Sequence, residues 1–290
     1  MGGTVDLGAI IGQSARAAVA HRSGCVPIMP TDRLIAYCIN LSRRPDRLEH
    51  MRSQAAAAGF EFTRIEAVDG SAPGMEEAAR AAAQETGTPP LGTGAYACFQ
   101  SHRACWQALV ESGASHALVL EDDMQLAPDF GRYLEPDWIP AGAELIRLET
   151  FGTRVHLDPA PAPTTGPRRL HPMRSCQLGA GAYVLSGATA AALLERTRQI
   201  SSAVDHVLFD IGAPSYAGHD VLQMTPAPAI QGKRSDPGAG SWVQNSMGQR
   251  LLDTDDDSAQ EMFVGRLVRR VRETLRARIG QTKYQVVDFG

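Results

Sequence analysis

The chain has few cysteines and no long apolar segment. It contains 5 cysteines in 290 residues, and none of them forms the Cys-x-x-Cys pair that is typical of zinc ribbons and thioredoxin-like redox sites. No run approaches the roughly 20 consecutive apolar residues that a membrane-spanning helix requires. The segment 9–20 is interrupted by Gln13 and Arg16, so it does not resemble the core of a signal peptide. These features favour a reduced, cytosolic protein over a secreted or membrane-spanning one.

Aromatic residues are also scarce, and the net charge of the chain is negative. Aromatic residues make up 6% of the chain, and the formal net charge is −4. A negative chain is a poor candidate for a nucleic-acid-binding protein, because binding to phosphates normally requires a basic surface. The hydrophobic content of 43% is sufficient for a substantial core. Length and composition therefore predict one large globular domain.

The most informative segment is an apolar run that ends in three adjacent carboxylates. Residues 118–120 are followed directly by Glu121, Asp122 and Asp123. Neighbouring like charges repel, so this cluster indicates a bound cation or a polarised ligand. An acidic surface turn is the alternative, because Asp is common where strands end. Hard oxygen ligands suit Mn²⁺ or Mg²⁺, and the sequence alone indicates no His and Cys cluster for zinc.

Strands and helices alternate along the chain, which predicts an α/β fold with a mostly parallel central sheet flanked by helices. An apolar helical pattern closed by Gly113 directly precedes the acidic strand. In open α/β sheets ligands bind beyond the carboxyl ends of the strands, where residues 121–123 are expected. The other predicted elements are strands at 34–41, 60–68, 143–148 and 182–186, helices at 45–59, 75–84 and 187–196, and an irregular stretch at 158–172.

A set of short motifs occurs in a characteristic order over residues 34–245. In chain order, the motif residues are Asn40 and Leu41 with Arg43, Arg44 and Arg47; Asp69 with Gly70; Cys98 with Ser101 and His102; 120–123; 181–186; and Asp205. This ordered set resembles glycosyltransferase family 25, which includes lipooligosaccharide galactosyltransferases of Gram-negative bacteria and is related to the collagen galactosyltransferases. One departure is Ala95, where the family often has an acidic residue.

The resemblance implies a nucleotide-sugar-binding fold of the GT-A type. It also implies a UDP-hexose donor, with galactose as the expected sugar, and a glycan or lipid-linked oligosaccharide as the acceptor. The implied reaction is an inverting transfer to a hydroxyl of a cell-surface glycan, assisted by Mn²⁺ or Mg²⁺.

The donor site is expected where the first strand passes into a helix opened by Pro45. A helix N-terminus carries partial positive charge, so an anionic diphosphate fits there beside arginines; solvated surface arginines are the alternative. Asp69 is compatible with a contact to uracil or ribose or with a simple turn, and His102 with a ligand contact or a packing role. The resemblance implies the following donor-binding residues: Asn40, Leu41, Arg44, Arg47, Asp69, Ser101, His102 and Asp122.

An inverting transfer needs a base that takes the proton of the acceptor hydroxyl. Asp205 is the first candidate, followed by Asp220 and Glu149; a helix-capping role is the alternative for Asp205. Tyr183 and Gln231 are expected near the acceptor, although a tyrosine in an apolar strand is usually part of the core.

The C-terminal segment predicts a basic amphipathic helix. Ser258 and Glu261 form a capping-box pattern, and apolar residues then recur on one face as far as Gly280. Arginines occupy much of the remaining surface, so the helix could lie on an anionic bilayer and give peripheral contact with the inner face of the membrane. The alternative is a helix packed on the main domain with solvated arginines. The predicted organisation is an extension at 1–30, a glycosyltransferase domain at 31–250 and this helix and tail at 251–290.

Two other functions are compatible with the same residues. A homologue without turnover could bind a nucleotide sugar or a glycan. A metal-dependent phosphohydrolase could use the same carboxylates, but it would need a nucleophile or second metal cluster that the sequence does not reveal. The fold alone cannot distinguish these functions.

Overall fold

The computed structural model describes residues 33–232 and 283–290. The predicted extension at 1–30 and the predicted amphipathic helix at 258–280 lie outside the described residues. Among the described helices, none has the length and apolar character needed to cross a membrane.

The described chain forms alternating strands and helices. The strands are β1 (Ile35–Asn40), β2 (Thr63–Glu66), β3 (His116–Glu121), β4 (Met124–Leu126), β5 (Leu145–Arg147), β6 (Glu149–Thr150), β7 (Arg154–Leu157), β8 (Arg169–Pro172), β9 (Ala182–Ser186), β10 (Val221–Thr225), β11 (Ala229–Gln231) and β12 (Lys283–Val286). The helices are α1 (Pro45–Ala57), α2 (Met75–Thr86), α3 (Thr93–Ser112), α4 (Gly187–Arg196) and α5 (Val204–Phe209), and 3-10 turns cover Phe130–Leu134 and Pro136–Trp138.

The central sheet has seven strands in the order β2-β1-β3-β9-β5-β10-β8. Strands β2, β1 and β3 are mutually parallel, and β5 is parallel to β10. Strand β9 is antiparallel to both of its neighbours, and β8 is antiparallel to β10. Five of the seven strands therefore run in one direction. The predicted α/β class with a mostly parallel sheet is confirmed, and the architecture is consistent with a GT-A-like fold. The stretch at 158–172 is not irregular throughout, because its end forms β8.

Local sequence signals explain where several elements begin and end. Pro45 occupies the first turn of α1, where its missing N–H is tolerated. Gly113 ends α3 with a positive φ of 71°, a conformation that glycine adopts without steric cost. Ser186 caps α4, because its hydroxyl accepts a hydrogen bond from the backbone N–H of Thr189 at 3.0 Å.

The sheet separates two apolar clusters. On one face, Val119 of β3 belongs to a cluster that includes Trp106 and Leu109 of α3. On the other face, Leu120 clusters with Met51 of α1. The alternation of side chains along a strand therefore directs residues 117, 119 and 121 of β3 toward α3. This direction determines where the Glu121 carboxylate lies.

The end of the chain packs on the same domain. Strand β12 pairs antiparallel with β7, and Val287 is buried. The backbone N–H of Ala227 donates to the carbonyl of Asp288 at 2.8 Å. Residues 283–290 are therefore integrated with the domain that carries the central sheet.

Candidate functional site

A cavity of about 490 Å³ opens at the carboxyl ends of β1 and β3. These strands are adjacent, with Ile39 opposite Glu121, so the segments that follow them meet there. The lining comes from the β1–α1 connection, the loop after β2, the first turns of α3 and the acidic turn after β3. Residues that line it include Leu41, Arg43, Arg47, Val68, Gly70, Ser71, Thr93, Gly94, Cys98, Ser101, His102, Glu121, Asp122 and Asp123.

The Asp122 side chain is held by two partners. The Asn40 amide Nδ2 donates to Asp122 Oδ2 at 2.7 Å, and Arg47 Nη1 donates to Asp122 Oδ1 at 2.8 Å. Asn40 is itself oriented by Arg64, whose Nε donates to Asn40 Oδ1 at 3.0 Å. Both oxygens of Asp122 are therefore engaged, and this residue fixes the acidic turn against β1. Glu121 and Asp123 are consequently the better candidates for direct ligands of a cation.

The arginines after β1 differ in where they point. Arg47 lies 3.5 Å from Asp123 as well as contacting Asp122. Arg43 was not among the residues expected to bind the sugar donor, but it lines the cavity. It forms a bidentate ion pair with Asp69 at 2.8 and 3.2 Å. Arg44 pairs instead with Asp46 on the exposed first turn of α1. The structure therefore brings Arg43 and Arg47 to the cavity lining, whereas Arg44 pairs with Asp46 and does not line the cavity.

The Asp69 carboxylate accepts hydrogen bonds from its own loop and from Arg43. Hydrogen bonds from Arg43 hold the pKa of Asp69 well below its ordinary value, and Ser71 adds further donors. The Ser71 backbone N–H and hydroxyl donate to Asp69 Oδ1 at 2.9 and 2.7 Å. Asp69 thus orders the loop 67–71 and orients Arg43.

Ser101 fastens the same loop to α3. Its hydroxyl accepts a hydrogen bond from the Val68 backbone N–H at 2.9 Å and donates to the Ala97 carbonyl at 2.8 Å. Gly70 allows the close approach, because a Cβ there would lie 2.9 Å from the Cα of Gly94 and from the carbonyl oxygen of Thr93. Ser101 therefore shapes the cavity wall through the backbone.

His102 is fully buried within a chain of hydrogen bonds. The Trp106 indole N–H donates to the Tyr183 hydroxyl oxygen at 2.9 Å. The Tyr183 hydroxyl can then donate to His102 Nδ1, 2.9 Å away, which leaves the proton of Nε2 directed toward Glu121 Oε1 at 3.3 Å. Tyr183 is also fully buried. The structure therefore does not place Tyr183, which was expected near the acceptor, in the cavity lining; its hydroxyl contacts His102 from behind the cavity wall.

Asp205 is held by backbone hydrogen bonds at the start of α5 and lies within electrostatic range of Cys98, which lines the cavity. Its Oδ2 accepts a hydrogen bond from the Gly179 N–H at 3.1 Å, and its Oδ1 accepts one from the His206 N–H at 3.0 Å in the first turn of α5. Burial raises the pKa of the Cys98 thiol well above its ordinary value, and the negative charges of Glu121, Asp205 and Asp123 raise it further. A carboxylate on α5 thus acts electrostatically on a residue that lines the cavity.

Glu149 forms a buried ion pair near Glu121. It lies 3.2 Å from Arg147 and accepts a hydrogen bond from the Gly181 N–H at 2.9 Å. Burial raises the pKa of Glu149 to about 7, and the charge of Glu121 contributes to the rise. Glu149 is 1% exposed and does not line the cavity. Its position is that of a residue supporting the site.

Asp220 and Gln231 lie in different sheets: Asp220 precedes β10 of the central sheet, and Gln231 ends β11 of a three-stranded sheet in the order β4-β11-β6. Asp220 immediately precedes β10, which runs in the same direction as β3, so Asp220 lies at the amino edge, with its backbone N–H bonded to Glu144 at 2.6 Å. The structure does not bring Asp220 to the cavity, and it is dropped as a candidate base. Gln231 pairs with Met124 directly after the acidic turn, and the next residue, Gly232, donates its N–H to the Asp123 carbonyl at 2.7 Å. Gln231 therefore adjoins the site.

Sequence reasoning missed the grouping of Cys98 with His102 and Glu121. The ligand atoms of these three side chains all lie within 4.8 Å of one another. The available signal was the four-residue spacing of Cys98 and His102, which places both side chains on one helix face. The prediction that no His and Cys cluster exists is corrected for the described residues.

Comparison with known proteins identifies the class of protein that carries this cavity: the chain is a glycosyltransferase. The sequence model of glycosyltransferase family 25 (LPS biosynthesis protein) matches residues 34–208, which is more than half of the chain. The chain therefore belongs to glycosyltransferase family 25, and the resemblance of its motifs is confirmed.

Individual relatives are distant, and two of the following three match two thirds or more of the chain. A protein of Haemophilus influenzae named putative glycosyltransferase is 24% identical over 200 residues, which cover 67% of this chain and 69% of the relative. The lacto-N-neotetraose biosynthesis glycosyltransferase LgtB of Neisseria gonorrhoeae is 26% identical over 265 residues, which cover 83% of this chain and 92% of the relative. Procollagen galactosyltransferase 2 of Mus musculus is 30% identical over 112 residues, which cover 34% of this chain and 17% of the relative.

Proposed function

We propose that this glycosyltransferase transfers a hexose, specifically galactose, from a UDP-sugar to a hydroxyl of a cell-surface glycan or lipid-linked oligosaccharide, with inversion at the anomeric carbon. One observation carries the proposal: carboxylates and guanidinium groups line the same cavity at the carboxyl edge of the sheet. A diphosphate bound together with a divalent cation presents both signs of charge, so a lining of both signs suits it. The similarity to the mouse procollagen galactosyltransferase 2 supports galactose as the sugar.

The carboxylates fit a hard divalent cation. Glu121 and Asp123 line the cavity, and oxygen ligands of this kind suit Mn²⁺ or Mg²⁺. When bound there, such a cation neutralises charge that develops on the leaving diphosphate. Asp122 maintains the turn through Asn40 and Arg47 and does not need to be a ligand itself.

The anionic part of the donor has separate partners. Arg43 and Arg47 supply guanidinium groups, and their N–H donors that do not contact Asp69 or Asp122 can bind phosphate oxygens. The N-terminus of the 20-residue helix α3 adds partial positive charge where Thr93 and Gly94 line the same wall. These groups orient the leaving group.

Asp205 is the candidate that we retain for the base. Its carboxylate takes the proton from the acceptor hydroxyl as that oxygen bonds to the anomeric carbon. The bond from the anomeric carbon to the diphosphate oxygen breaks at the same time, and UDP leaves with the electron pair. Asp205 is partly exposed and lies close to the cavity, whereas Glu149 is buried in its pair with Arg147.

The test is a product analysis with UDP-galactose labelled in the sugar. We expect label in a glycan acceptor, with less transfer from other nucleotide sugars. Donor that is bound but unchanged would indicate a silent homologue, and release of inorganic phosphate would indicate a phosphohydrolase.

Two matched variants test the base in the same assay. Asp205→Asn should lower turnover by roughly a hundredfold or more while UDP binding persists. Asp220→Asn removes a carboxylate at the opposite edge of the sheet and should retain turnover close to that of the wild type. Unchanged turnover in Asp205→Asn would remove this residue as the base.

A peripheral contact with the inner face of the membrane, from a cytosolic location, completes the proposal. It is supported by the basic amphipathic sequence at 258–280. The test should keep residues 283–290, because β12 pairs with β7. Replacing Arg269, Arg270, Arg272 and Arg276 by Gln should abolish sedimentation with anionic liposomes and preserve transfer to a soluble acceptor. Equal sedimentation of this variant and the wild type would contradict the membrane contact.

A further inference from the structure

Cys98, His102 and Glu121 bring three different metal-binding groups to one point of the cavity wall. Cys98 and His102 lie one turn apart on the same face of α3, and Glu121 points toward them from the end of β3. His102 Nε2 lies 3.3 Å from Glu121 Oε1, and Cys98 Sγ lies 3.8 Å from the same oxygen. The three ligand atoms therefore already converge.

Two of their three separations are close to those around a tetrahedral zinc ion, and all three ligand atoms lie within 4.8 Å of one another. Zinc bonds of about 2.0 Å to nitrogen and oxygen and about 2.3 Å to sulfur, at tetrahedral angles, give separations of roughly 3.3 Å for nitrogen to oxygen and roughly 3.5 Å for sulfur to oxygen. Cys98 needs to approach Glu121 by only a few tenths of an ångström from its 3.8 Å separation.

The surroundings of His102 match those of a metal-binding histidine. A ligating imidazole normally has its second nitrogen oriented by a hydrogen bond. Here Nδ1 lies 2.9 Å from the Tyr183 hydroxyl, which also accepts from Trp106. The hydroxyl can donate to Nδ1 or accept from it, so the His102 proton can move to Nδ1 and free Nε2 for a metal.

We propose that Cys98, His102 and Glu121 form a site for a thiophilic divalent cation such as Zn²⁺, with the fourth coordination position facing the cavity. Thiolate and imidazole ligands select for zinc, whereas the all-oxygen set of Glu121 and Asp123 suits Mn²⁺. Binding displaces the Cys98 thiol proton, which passes to solvent. Because both sites need the Glu121 carboxylate, Zn²⁺ here excludes the Mn²⁺ of the proposed function and inhibits transfer.

The direct test is titration of the reduced full-length chain with Co²⁺, which reports thiolate ligation through a charge-transfer absorption band. We expect the band to saturate at about one equivalent, consistent with a single three-ligand site, and to be lost on addition of Zn²⁺. Cys98→Ser should abolish the band, with thermal melting to confirm folding. Cys176→Ser is the matched control and should keep it, because Cys176 is a partly exposed cysteine outside the cluster.

Asp123→Asn separates this proposal from the proposed manganese site. The variant should retain the Co²⁺ band, because Asp123 is not one of the three ligands. In transfer assays with Mn²⁺, the Zn²⁺ concentration for half inhibition should rise at least about tenfold in Cys98→Ser relative to wild type, each measured against its own zinc-free rate. Absence of a band in the wild type, or a band that persists in Cys98→Ser, would overturn the proposal whether or not the chain transfers galactose.

Discussion

The amide of Asn40 and the carboxylate of Asp122 join the ends of β1 and β3 through a buried hydrogen bond of 2.7 Å. The same amide donates to the Arg44 carbonyl at 3.0 Å, and the Asn40 oxygen accepts from Arg64. One buried side chain thus connects the start of the β1–α1 segment, strand β2 and the acidic turn. The cavity depends on this connection, because all three segments contribute to its shape.

Replacing Asn40 by Ala should therefore destabilise the fold around the cavity. The change leaves the Arg44 carbonyl, the Arg64 Nε and Asp122 Oδ2 without their partner, and unsatisfied buried groups cost about 1–3 kcal/mol. Urea unfolding should show a loss of that size. Asp46→Ala, which breaks the exposed pair with Arg44, is the control and should shift the midpoint much less. Equal midpoints for Asn40→Ala and wild type would show that the connection does not stabilise the fold.

Arg47 and Arg44 lie three residues apart but should affect donor binding differently. Arg47→Ala removes a guanidinium that lines the cavity and contacts Asp122. Its loss should weaken UDP binding about tenfold to a hundredfold, the range expected for a hydrogen bond to a charged group. Arg44→Ala removes a side chain that pairs with Asp46 and should change UDP affinity by less than about threefold. Calorimetric titration of both variants checks this, and a larger effect for Arg44→Ala would contradict the placement of the two arginines.

Glu149 should make stability depend on pH. Burial raises its pKa from the ordinary value of 4.5 to about 7, so the folded state holds this proton more tightly than the unfolded state does. The resulting stabilisation is fully present below pH 4.5 and is lost as the pH rises through about 7.

Glu149→Gln removes that titration. The wild type should lose about 2 kcal/mol of stability relative to Glu149→Gln between pH 5 and pH 8, measured from urea unfolding at each pH. Glu111→Gln, on the exposed surface of α3, controls for the general effect of pH on unfolding. A stability difference between wild type and Glu149→Gln that stays constant with pH, or changes in the opposite sense, would contradict the assignment.

Much of the fold follows from the sequence because its signals are local. Pro45 and Gly113 mark the start of α1 and the end of α3, and the apolar run before Glu121 forms β3 as predicted. The direction of β9 could not be predicted in this way. Its residues are apolar in either direction, and only pairing with β3 and β5 makes the strand antiparallel. Strand β8 was missed because its pairing with β10 is long-range.

The site was predictable in its location and less so in its side-chain roles. The acidic turn lies at the carboxyl edge of the sheet, as expected for an α/β fold. Which of Arg43 and Arg44 reaches the cavity depends on the competing carboxylates Asp69 and Asp46, and spacing alone does not reveal that competition. The burial of Tyr183 likewise depends on α3 packing over β9.

The most direct test of the central claim is calorimetric titration of UDP with and without Mn²⁺ on the wild type and Asp123→Asn, with turnover measured in parallel. Asn keeps the size of the side chain and removes an anionic ligand, so folding should survive. Metal-dependent UDP binding should be lost, and transfer should fall on the order of a thousandfold, which corresponds to several kcal/mol of leaving-group stabilisation. Asp205→Asn is the matched control and should keep metal-dependent binding. If the Asp123→Asn variant binds UDP with the same Mn²⁺ dependence as the wild type, the metal-assisted mechanism is contradicted.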